Sequence, residues 1–428
     1  AATKRAGTAE LEIVASNKMK VRVPDSDTPE YAARLASEAP MLRAMELHAQ
    51  QVDIGPTGHE NQYATSYLID GVRQAGDAIV GQEAVQVIDF WKQAAGLSVE
   101  DRRRRQIGDL TISKGVDKHN VRVTASGTQQ GMRFTARFDP SKSVRRAAND
   151  LGLTEAQLEA LKAIVDEGQG VVLLASQAHS GRTTTLYSVV KMHDAYTRNV
   201  QTIEMATEDA LEGVKQSIFD PYAEGAEFSM LVRSTLRRDP DVVGICDLPD
   251  AQTAKVVAQG DHERTRAYIS MRADSALTAI QMWTKAVGDP GLASSCLRGV
   301  VAQRLVRRLC TNCRVPYQPP ADMLRKLGLK PESVKQLFKE GGQVLIKNKP
   351  EVCPVCQGIG YRGQTGLFEV YSIDKAERAL IAAGDFAGLR SELRKKRLPS
   401  IQQVALLKTV EGVTSINEIT RTSGEKKK

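Results

Sequence analysis

The sequence contains no apolar run that approaches the length of a membrane-spanning helix, and no signal peptide is visible at its start. The first absence excludes a helix that crosses a bilayer. The chain begins at Ala1 rather than Met, which is compatible with a fragment of a longer protein. Cysteine is scarce: six residues in 428 exclude a disulfide framework. Because four of them fall in two C-x-x-C pairs, we expect a metal site in a reducing cytoplasm.

What is present is the composition of an ordinary globular protein. Hydrophobic residues make up 41% of the 428, enough for two to three domains with their own cores. The net charge of +8 comes largely from local runs such as Arg102–Arg105, Arg304–Arg308 and Lys426–Lys428. Such charge suits nucleic acid, acidic lipid headgroups or nucleotide phosphates, although a single run is more often a solvated face.

Changes in patterning predict six segments. They are a polar tail, a small α+β domain, a linker, a RecA-like or other doubly wound P-loop domain, a tetracysteine subdomain and a helical C-terminal region. In chain order we place them at residues 1–25, 26–140, 141–150, 151–305, 306–370 and 371–428. In the α+β domain the patterns predict helices at 28–48 and 85–95, a hairpin at Asp70-Gly71, and two strands around a turn at Ser126-Gly127.

Short apolar strands alternate with helical stretches in the P-loop segment. A capping box at Thr154–Gln157 begins a helix, and the strands that follow are Val171–Leu174, Val200–Ile203, Val242–Cys246 and Ala267–Ser270. This alternation predicts a parallel sheet with crossover helices, so the fold class is α/β. Residues 292–309 have the pattern of a further helix, and 374–423 are predicted helical with a second capping box at Ser415–Glu418.

An incomplete phosphate-binding loop follows the first of these strands. The pattern G-x-x-x-x-G-K-[ST] falls on Ser176–Thr183, where only Gly181 and Thr183 match. Ser176 takes the place of the first Gly and Arg182 that of the Lys. The strand–turn–helix layout is intact, so we expect backbone N–H groups and the helix dipole to hold phosphates there.

Carboxylates follow the next two strands. Glu204 and Glu208 come after the second, and Asp247 ends the third. In P-loop enzymes such carboxylates bind Mg²⁺ or orient the attacking water. A carboxylate at a strand end can equally be a cap or a surface group, and the sequence leaves both interpretations open.

Two C-x-x-C pairs, Cys310/Cys313 and Cys353/Cys356, are separated by the 39 residues 314–352. Four thiolates from two tight turns suit a structural tetrahedral zinc ion. The alternative is four buried thiols without metal. A zinc ribbon could also bind nucleic acid, but few aromatic residues surround the cysteines, and we expect no nucleic-acid partner.

The chain resembles the type II secretion and type IV pilus assembly ATPases, a branch of the secretion-ATPase superfamily, from about residue 40 onward. The stretches that carry the resemblance are Val301–Cys310 with Cys313, Tyr361–Val370, Asp150–Thr154, Thr183–Tyr187 and Leu236–Asp241. The resemblance implies an α+β domain joined to a RecA-like ATPase motor with a zinc insert and a helical C-terminus. It also implies a homo- or hetero-hexamer in the cytoplasm, docked on an inner-membrane platform protein.

Position by position, the resemblance implies catalytic roles for Glu204, Glu208 and Asp247, and a structural Zn²⁺ on the four cysteines. It implies ATP/Mg²⁺ binding by the loop and four arginines: Ser176, Gln177, Ala178, His179, Ser180, Gly181, Arg182, Thr183, Thr184, Arg122, Arg137, Arg233 and Arg237. Thr183 keeps the hydroxyl that ligates Mg²⁺ in the family.

Departures from the family pattern cluster where ATP chemistry takes place. Besides Ser176 and Arg182, His179 and Cys246 stand for glycines and Asp247 stands for the catalytic Glu. Asp is one methylene shorter, enough to misplace a water-orienting carboxylate. We therefore favour a nucleotide-binding subunit with weakened or lost hydrolysis. The alternative is an active hexameric motor that drives pilin or pseudopilin assembly.

Overall fold

The computed structural model describes residues 8–59 and 61–423. The residues up to Lys142 and those from Ser143 onward form two compact units. Among the helices of the described ranges, none combines the length and the apolar character that crossing a bilayer requires.

The first unit is an antiparallel sheet with two long helices. Its elements are β1 (Glu12–Val14), α1 (Pro29–Glu46), β2 (Gln51–Pro56), β3 (Gln62–Ile69), β4 (Val72–Val80), α2 (Gly81–Ala94), β5 (Gln106–Lys114), β6 (Asp117–Thr128) and β7 (Gly131–Phe138). The strand order is β1-β5-β6-β7-β2-β3-β4. Both predicted helices and the hairpin at Asp70-Gly71 are confirmed; the two turn residues have φ of 47° and 76°, as a tight two-residue turn between strands requires.

Two predictions in this unit are wrong. The described part of the predicted tail, residues 8–25, contains β1, which pairs with β5, and its Leu11 and Ile13 are buried. Residues 1–7 of that prediction lie outside the described residues. The hairpin turn lies at 129–130, because β6 continues to Thr128, which pairs with Gly131. Gly127 has another role: a Cβ atom there would lie 2.1 Å from the Arg102 carbonyl oxygen, so only glycine permits this close approach.

The second unit begins with a helical linker and continues as a doubly wound α/β fold. Its first elements are α3 (Pro140–Val144), which starts just before the unit boundary, α4 (Glu155–Glu167), β8 (Gly170–Ser176), α5 (Arg182–Val190), β9 (Val200–Glu204), β10 (Lys215–Ile218), α6 (Phe228–Leu236), β11 (Val242–Ile245), α7 (Ala251–Ala258), β12 (Arg266–Arg272), α8 (Ala276–Val287) and α9 (Pro290–Cys296). The four predicted strands are confirmed as β8, β9, β11 and β12, and Thr154 caps α4 in the predicted capping box.

The sheet of this unit has the order β10-β9-β11-β12-β8-β13-β18, where β13 is Leu297–Leu309 and β18 is Tyr361–Ser372. All neighbours are parallel except β13 and β18. Alternate residues of β8 face two cores: Val171 and Leu173 pack in one, Val172 and Leu174 in the other. The predicted α/β class with helices on a parallel sheet is therefore confirmed.

The helix predicted at 292–309 is wrong over most of its length, because only its start lies in α9 and the rest is β13. Leu, Ala, Gln and Arg favour helices locally. Here β13 is hydrogen-bonded between β8 and β18, and this pairing, together with buried Val300 and Val301, overrides the local preference.

The segment between β13 and β18 contains the four cysteines and short hairpins. Its elements are β14 (Val315–Tyr317), α10 (Ala321–Lys326), β15 (Leu337–Lys339), β16 (Gln343–Ile346) and β17 (Lys349–Val352). The last described elements are α11 (Lys375–Ala382), α12 (Phe386–Lys395), α13 (Ile401–Val410) and α14 (Ile416–Ser423). They confirm the predicted helical C-terminal region as far as residue 423; residues 424–428 of that region lie outside the described residues. At the start of α14, Ser415 accepts from the Glu418 N–H, but the Glu418 carboxylate binds Arg307 and Arg421 instead of completing a capping box.

Candidate functional site

The phosphate-loop segment lies where the parallel strands of the second unit end. Strand β8 ends at the buried Ser176, and α5 begins at Arg182 after an N-cap at Gly181. His179 has φ of 56° and Gly181 has φ of 79°. Of Ser176 and His179, the two loop residues that the resemblance places at glycine positions, only His179 is therefore in the left-handed region, where a non-glycine residue costs on the order of 1 kcal/mol.

Hydrogen bonds from neighbouring elements hold this loop on two sides. On one side the Gln177 side chain donates to Asp274, which follows β12, at 2.8 Å. On the other side Gln303 of β13 donates to the Ser180 carbonyl oxygen at 2.6 Å and accepts from the Thr185 hydroxyl. The loop conformation is thus fixed by side chains as well as by its own backbone.

Arg182 and Asp247 form an ion pair. Arg182 Nη1 lies 3.1 Å from Asp247 Oδ1, and the two side chains are 19% and 29% exposed. The same Asp247 oxygen accepts from the Leu248 backbone N–H at 3.0 Å. The guanidinium at the start of α5 is therefore neutralised by a carboxylate of the protein itself.

Glu204 is 2% exposed and lies at the centre of a buried polar network. One carboxylate oxygen accepts from the Tyr187 hydroxyl at 2.5 Å; the other accepts from Thr202 at 2.5 Å and from Gln216 at 3.0 Å. Burial and the hydrogen bond to Glu204 raise the pKa of Tyr187 far above its usual value, so Tyr187 remains the donor. Both carboxylate oxygens of Glu204 are already engaged inside the protein.

The acidic segment after β9 is tied to the same network. The Glu208 N–H donates to the Tyr187 hydroxyl at 3.3 Å. The adjacent Asp209 forms a two-fold pair with Arg145, with both N–O distances 2.7 Å. Hydrogen bonds from Arg145 lower the pKa of Asp209, which keeps this carboxylate charged.

The remaining predicted residues of the second unit are spread around the loop and beyond it. Gln177, Ala178 and His179 are exposed, whereas Thr183 and Thr184 are half-buried in the first turn of α5. Arg233 and Arg237 are exposed at the end of α6. Cys246, next to Asp247, is largely buried, and burial raises the pKa of its thiol to about 12, so this thiol is unreactive.

Arg122 and Arg137 belong to the first unit, where they are cross-strand neighbours on β6 and β7. Arg122 also pairs with Asp109 of β5, at 2.9 and 3.2 Å. Asp109, Arg122 and Arg137 therefore form one row across three strands, on the polar face of that sheet.

The four predicted cysteine ligands converge. Their sulfur atoms all lie within 4.8 Å of one another, with Cys310–Cys353 at 3.9 Å and Cys313–Cys356 at 3.6 Å. Tetrahedral zinc with Zn–S bonds of about 2.3 Å places sulfurs about 3.8 Å apart, so the geometry fits that ion. Backbone N–H groups of Gly342 and Gly360 donate to Cys313 and Cys356, each at 3.2 Å, as expected for thiolates.

Sequence reasoning did not identify Tyr187, Gln216, Gln303 or the Arg145–Asp209 pair. Tyr187 and Gln216 contact Glu204 from positions 17 and 12 residues away in the chain, and Gln303 contacts the loop from 123 residues away. Because these contacts join residues so far apart in the chain, local sequence patterns carried no signal for them.

Comparison with known proteins assigns this architecture to one family. The family described as type II/IV secretion system protein matches residues 29–421. The chain is 30% identical over 392 residues to the type II secretion system protein E of Dickeya dadantii, covering 91% of this chain and 74% of that protein. It is 27% identical over 421 residues to the type IV pilus assembly ATPase PilB of Thermus thermophilus, covering 96% of this chain but only 46% of that protein.

The fold is also similar to a solved structure. The X-ray structure of the ATPase DotB of Legionella pneumophila aligns with a TM-score of 0.61 at 16% identity, over 93% of this chain and 97% of that one. At this level of identity the likeness concerns the fold alone.

Proposed function

Because this chain belongs to the type II/IV secretion system protein family, we propose that it is a nucleotide-binding ATPase-family subunit of a type II secretion or type IV pilus assembly machine, with weakened or lost hydrolysis. Nucleotide phosphates would bind at the loop Ser176–Thr183, with Mg²⁺ held in part by the Thr183 hydroxyl. The proposed site in the second unit comprises that loop, Thr184, Glu204, Glu208, Asp247, Arg233 and Arg237. Arg122 and Arg137 are proposed separately, as nucleotide-binding residues of the first unit.

The Arg182–Asp247 ion pair is the observation that carries this proposal. A motor needs a cation free to reach the β and γ phosphates and a carboxylate free to orient water. Here these two groups neutralise each other at 3.1 Å. The engagement of both Glu204 oxygens by Tyr187, Thr202 and Gln216 supports the same conclusion, because a saturated carboxylate is a poor partner for metal or water.

The active-motor alternative is supported by the intact strand–loop–helix geometry, and one experiment separates the two. Phosphate release and nucleotide binding are measured on the purified chain and on an Arg182→Lys, Asp247→Glu double variant. We expect the parent chain to bind Mg-ATP with turnover at background level, and the double variant to gain turnover. Turnover in the parent chain that disappears in Glu204→Gln would refute the proposed loss of hydrolysis.

We further propose a structural zinc ion on the four cysteines, a homo- or hetero-hexameric ring, and a cytoplasmic location at the inner membrane on a platform protein. The sulfur geometry supports the zinc ion; family membership supports the remaining parts. Mass measurement of the ring with and without nucleotide tests the assembly, and a chain that stays monomeric at micromolar concentration in both conditions would argue against a homo-hexamer.

A further inference from the structure

We infer that the site takes a nucleoside diphosphate in preference to a triphosphate, because Asp247 already pairs with Arg182, the cation that a γ-phosphate would contact. This inference rests on the proposed nucleotide binding at Ser176–Thr183. It goes further by naming the ligand class that the substituted residues select.

The Arg182–Asp247 ion pair engages the cation that a triphosphate would need. In a phosphate-binding loop, the cation before the Ser/Thr reaches the β and γ phosphates, whereas backbone N–H groups cradle the phosphates closer to the nucleoside. Arg182 holds that position, and its guanidinium contacts the Asp247 carboxylate at 3.1 Å. An anionic group of the protein thus sits on the cation that a γ-phosphate would otherwise use.

The Asp247 carboxylate is held in place by two hydrogen bonds. Its Oδ1 accepts from the Leu248 N–H as well as from Arg182, so displacing it breaks two hydrogen bonds. A bound γ-phosphate would have to displace this carboxylate or remain beside it as a like charge, and both disfavour a triphosphate. A diphosphate depends less on Arg182, because the loop backbone and the N-terminus of α5 also hold its β-phosphate and it places no γ-phosphate beside Asp247.

Two side-chain hydrogen bonds hold the rest of the loop in place. Gln303 anchors the Ser180 carbonyl oxygen and Gln177 is bonded to Asp274. The loop therefore needs little rearrangement to bind phosphates, and the discrimination falls on the single carboxylate at Arg182.

The test is competition between nucleotides on the full chain. A fluorescent N-methylanthraniloyl-ADP probe is displaced with ADP or with ATP in the presence of Mg²⁺, and phosphate release is followed in the same samples to account for any hydrolysis. We expect ADP to bind the parent chain at least tenfold more tightly than ATP. In Asp247→Asn, which keeps the shape and removes the charge, the ratio of the two dissociation constants should fall to about one. Asp247→Ser serves as a second variant if the first does not fold.

Asp274→Asn is the matched control, because it removes the same charge beside the same loop but away from Arg182. We expect it to keep most of the preference for ADP. Equal or tighter binding of ATP by the parent chain, or equal shifts in the two Asn variants, would overturn the inference and leave the proposed nucleotide binding intact. A chain that binds neither nucleotide would overturn both.

Discussion

Removing the Tyr187 hydroxyl should destabilise the second unit more than removing an equally buried hydroxyl elsewhere. Tyr187→Phe keeps the ring and deletes only the donor to Glu204. Tyr268→Phe is the matched control, since Tyr187 and Tyr268 are both 0% exposed. The Tyr268 hydroxyl hydrogen-bonds His193 Nε2 at 2.7 Å, a neutral partner, because burial lowers the pKa of His193 to about 4.

The hydrogen bonds of Tyr187 and Tyr268 are expected to contribute different amounts to the free energy of unfolding. A hydrogen bond between neutral groups contributes about 1 kcal/mol, and one to a charged group about 1.5–3 kcal/mol. The Tyr187 hydroxyl also accepts from the Glu208 N–H and from Gln216, at 3.3 and 3.4 Å, and both donors lose this partner in the variant. We therefore expect Tyr187→Phe to lower the free energy of unfolding by about 3 kcal/mol and Tyr268→Phe by about 1 kcal/mol.

The sequence offers a convenient probe for this measurement. The chain has two tryptophans, Trp91 in the first unit and Trp283 in the second. In a Trp91→Phe background, Trp283 fluorescence during urea unfolding reports on the second unit alone, and each Tyr variant is compared within that background.

A double variant separates the contact from a general effect on packing. If the hydroxyl acts through the carboxylate, Tyr187→Phe should cost less once Glu204→Gln is present, because the charged acceptor is gone. Equal losses for Tyr187→Phe and Tyr268→Phe, or strict additivity with Glu204→Gln, would refute the account of Glu204 as a carboxylate held by its buried donors.

Three further outcomes are expected. The chain should hold about one zinc ion; Cys353→Ser should lose it, whereas Cys296→Ser, buried outside the cluster, should retain it, as elemental analysis can check. Burial lowers the pKa of His193 from 6.5 to about 4. As the pH falls, His193 is therefore protonated in the unfolded chain before it is protonated in the folded protein. The contribution of neutral His193 to the free energy of unfolding is complete above pH 6.5 and falls by up to about 3 kcal/mol as the pH drops towards 4. His193→Gln should remove this pH dependence, as urea titrations can check. Glu418→Gln should cost about 3 kcal/mol, because buried Glu418 pairs with two arginines, whereas Glu392→Gln, in a surface pair, should change stability by less than about 1 kcal/mol.

Patterns that depend on near neighbours in the chain predicted much of this fold. The four apolar strands, the capping box at Thr154 and the hairpin at Asp70-Gly71 each carry their signal within a few residues, and all are confirmed. The cysteine cluster was predictable for the same reason, since each pair lies in one tight turn.

Features that depend on distant partners were not predictable from one sequence. The residues of β13 favour a helix locally, and only pairing with β8 and β18 makes them a strand. Similarly, Gly127 resembles a turn residue until the Arg102 carbonyl is seen to approach it. The Arg182–Asp247 contact joins residues 65 positions apart. The sequence indicated that each of the two residues was unusual, but it did not predict that they form a pair.

Strand β13 connects the phosphate loop mechanically to the cysteine cluster. Gln303, which anchors the phosphate loop, lies on the strand that leads directly into Cys310. The intervening extended backbone spans about 23 Å at 3.3 Å per residue. It pairs with β18 as far as Leu309, whereas its pairing with β8 ends at Gln303. An extended strand has little slack along its axis, so we expect a shift of Gln303 along β13 to reach Cys310, reduced by the irregular register between Arg307 and Leu309. The phosphate loop and the cysteine cluster are therefore joined through one continuous strand, with no intervening loop to absorb a displacement.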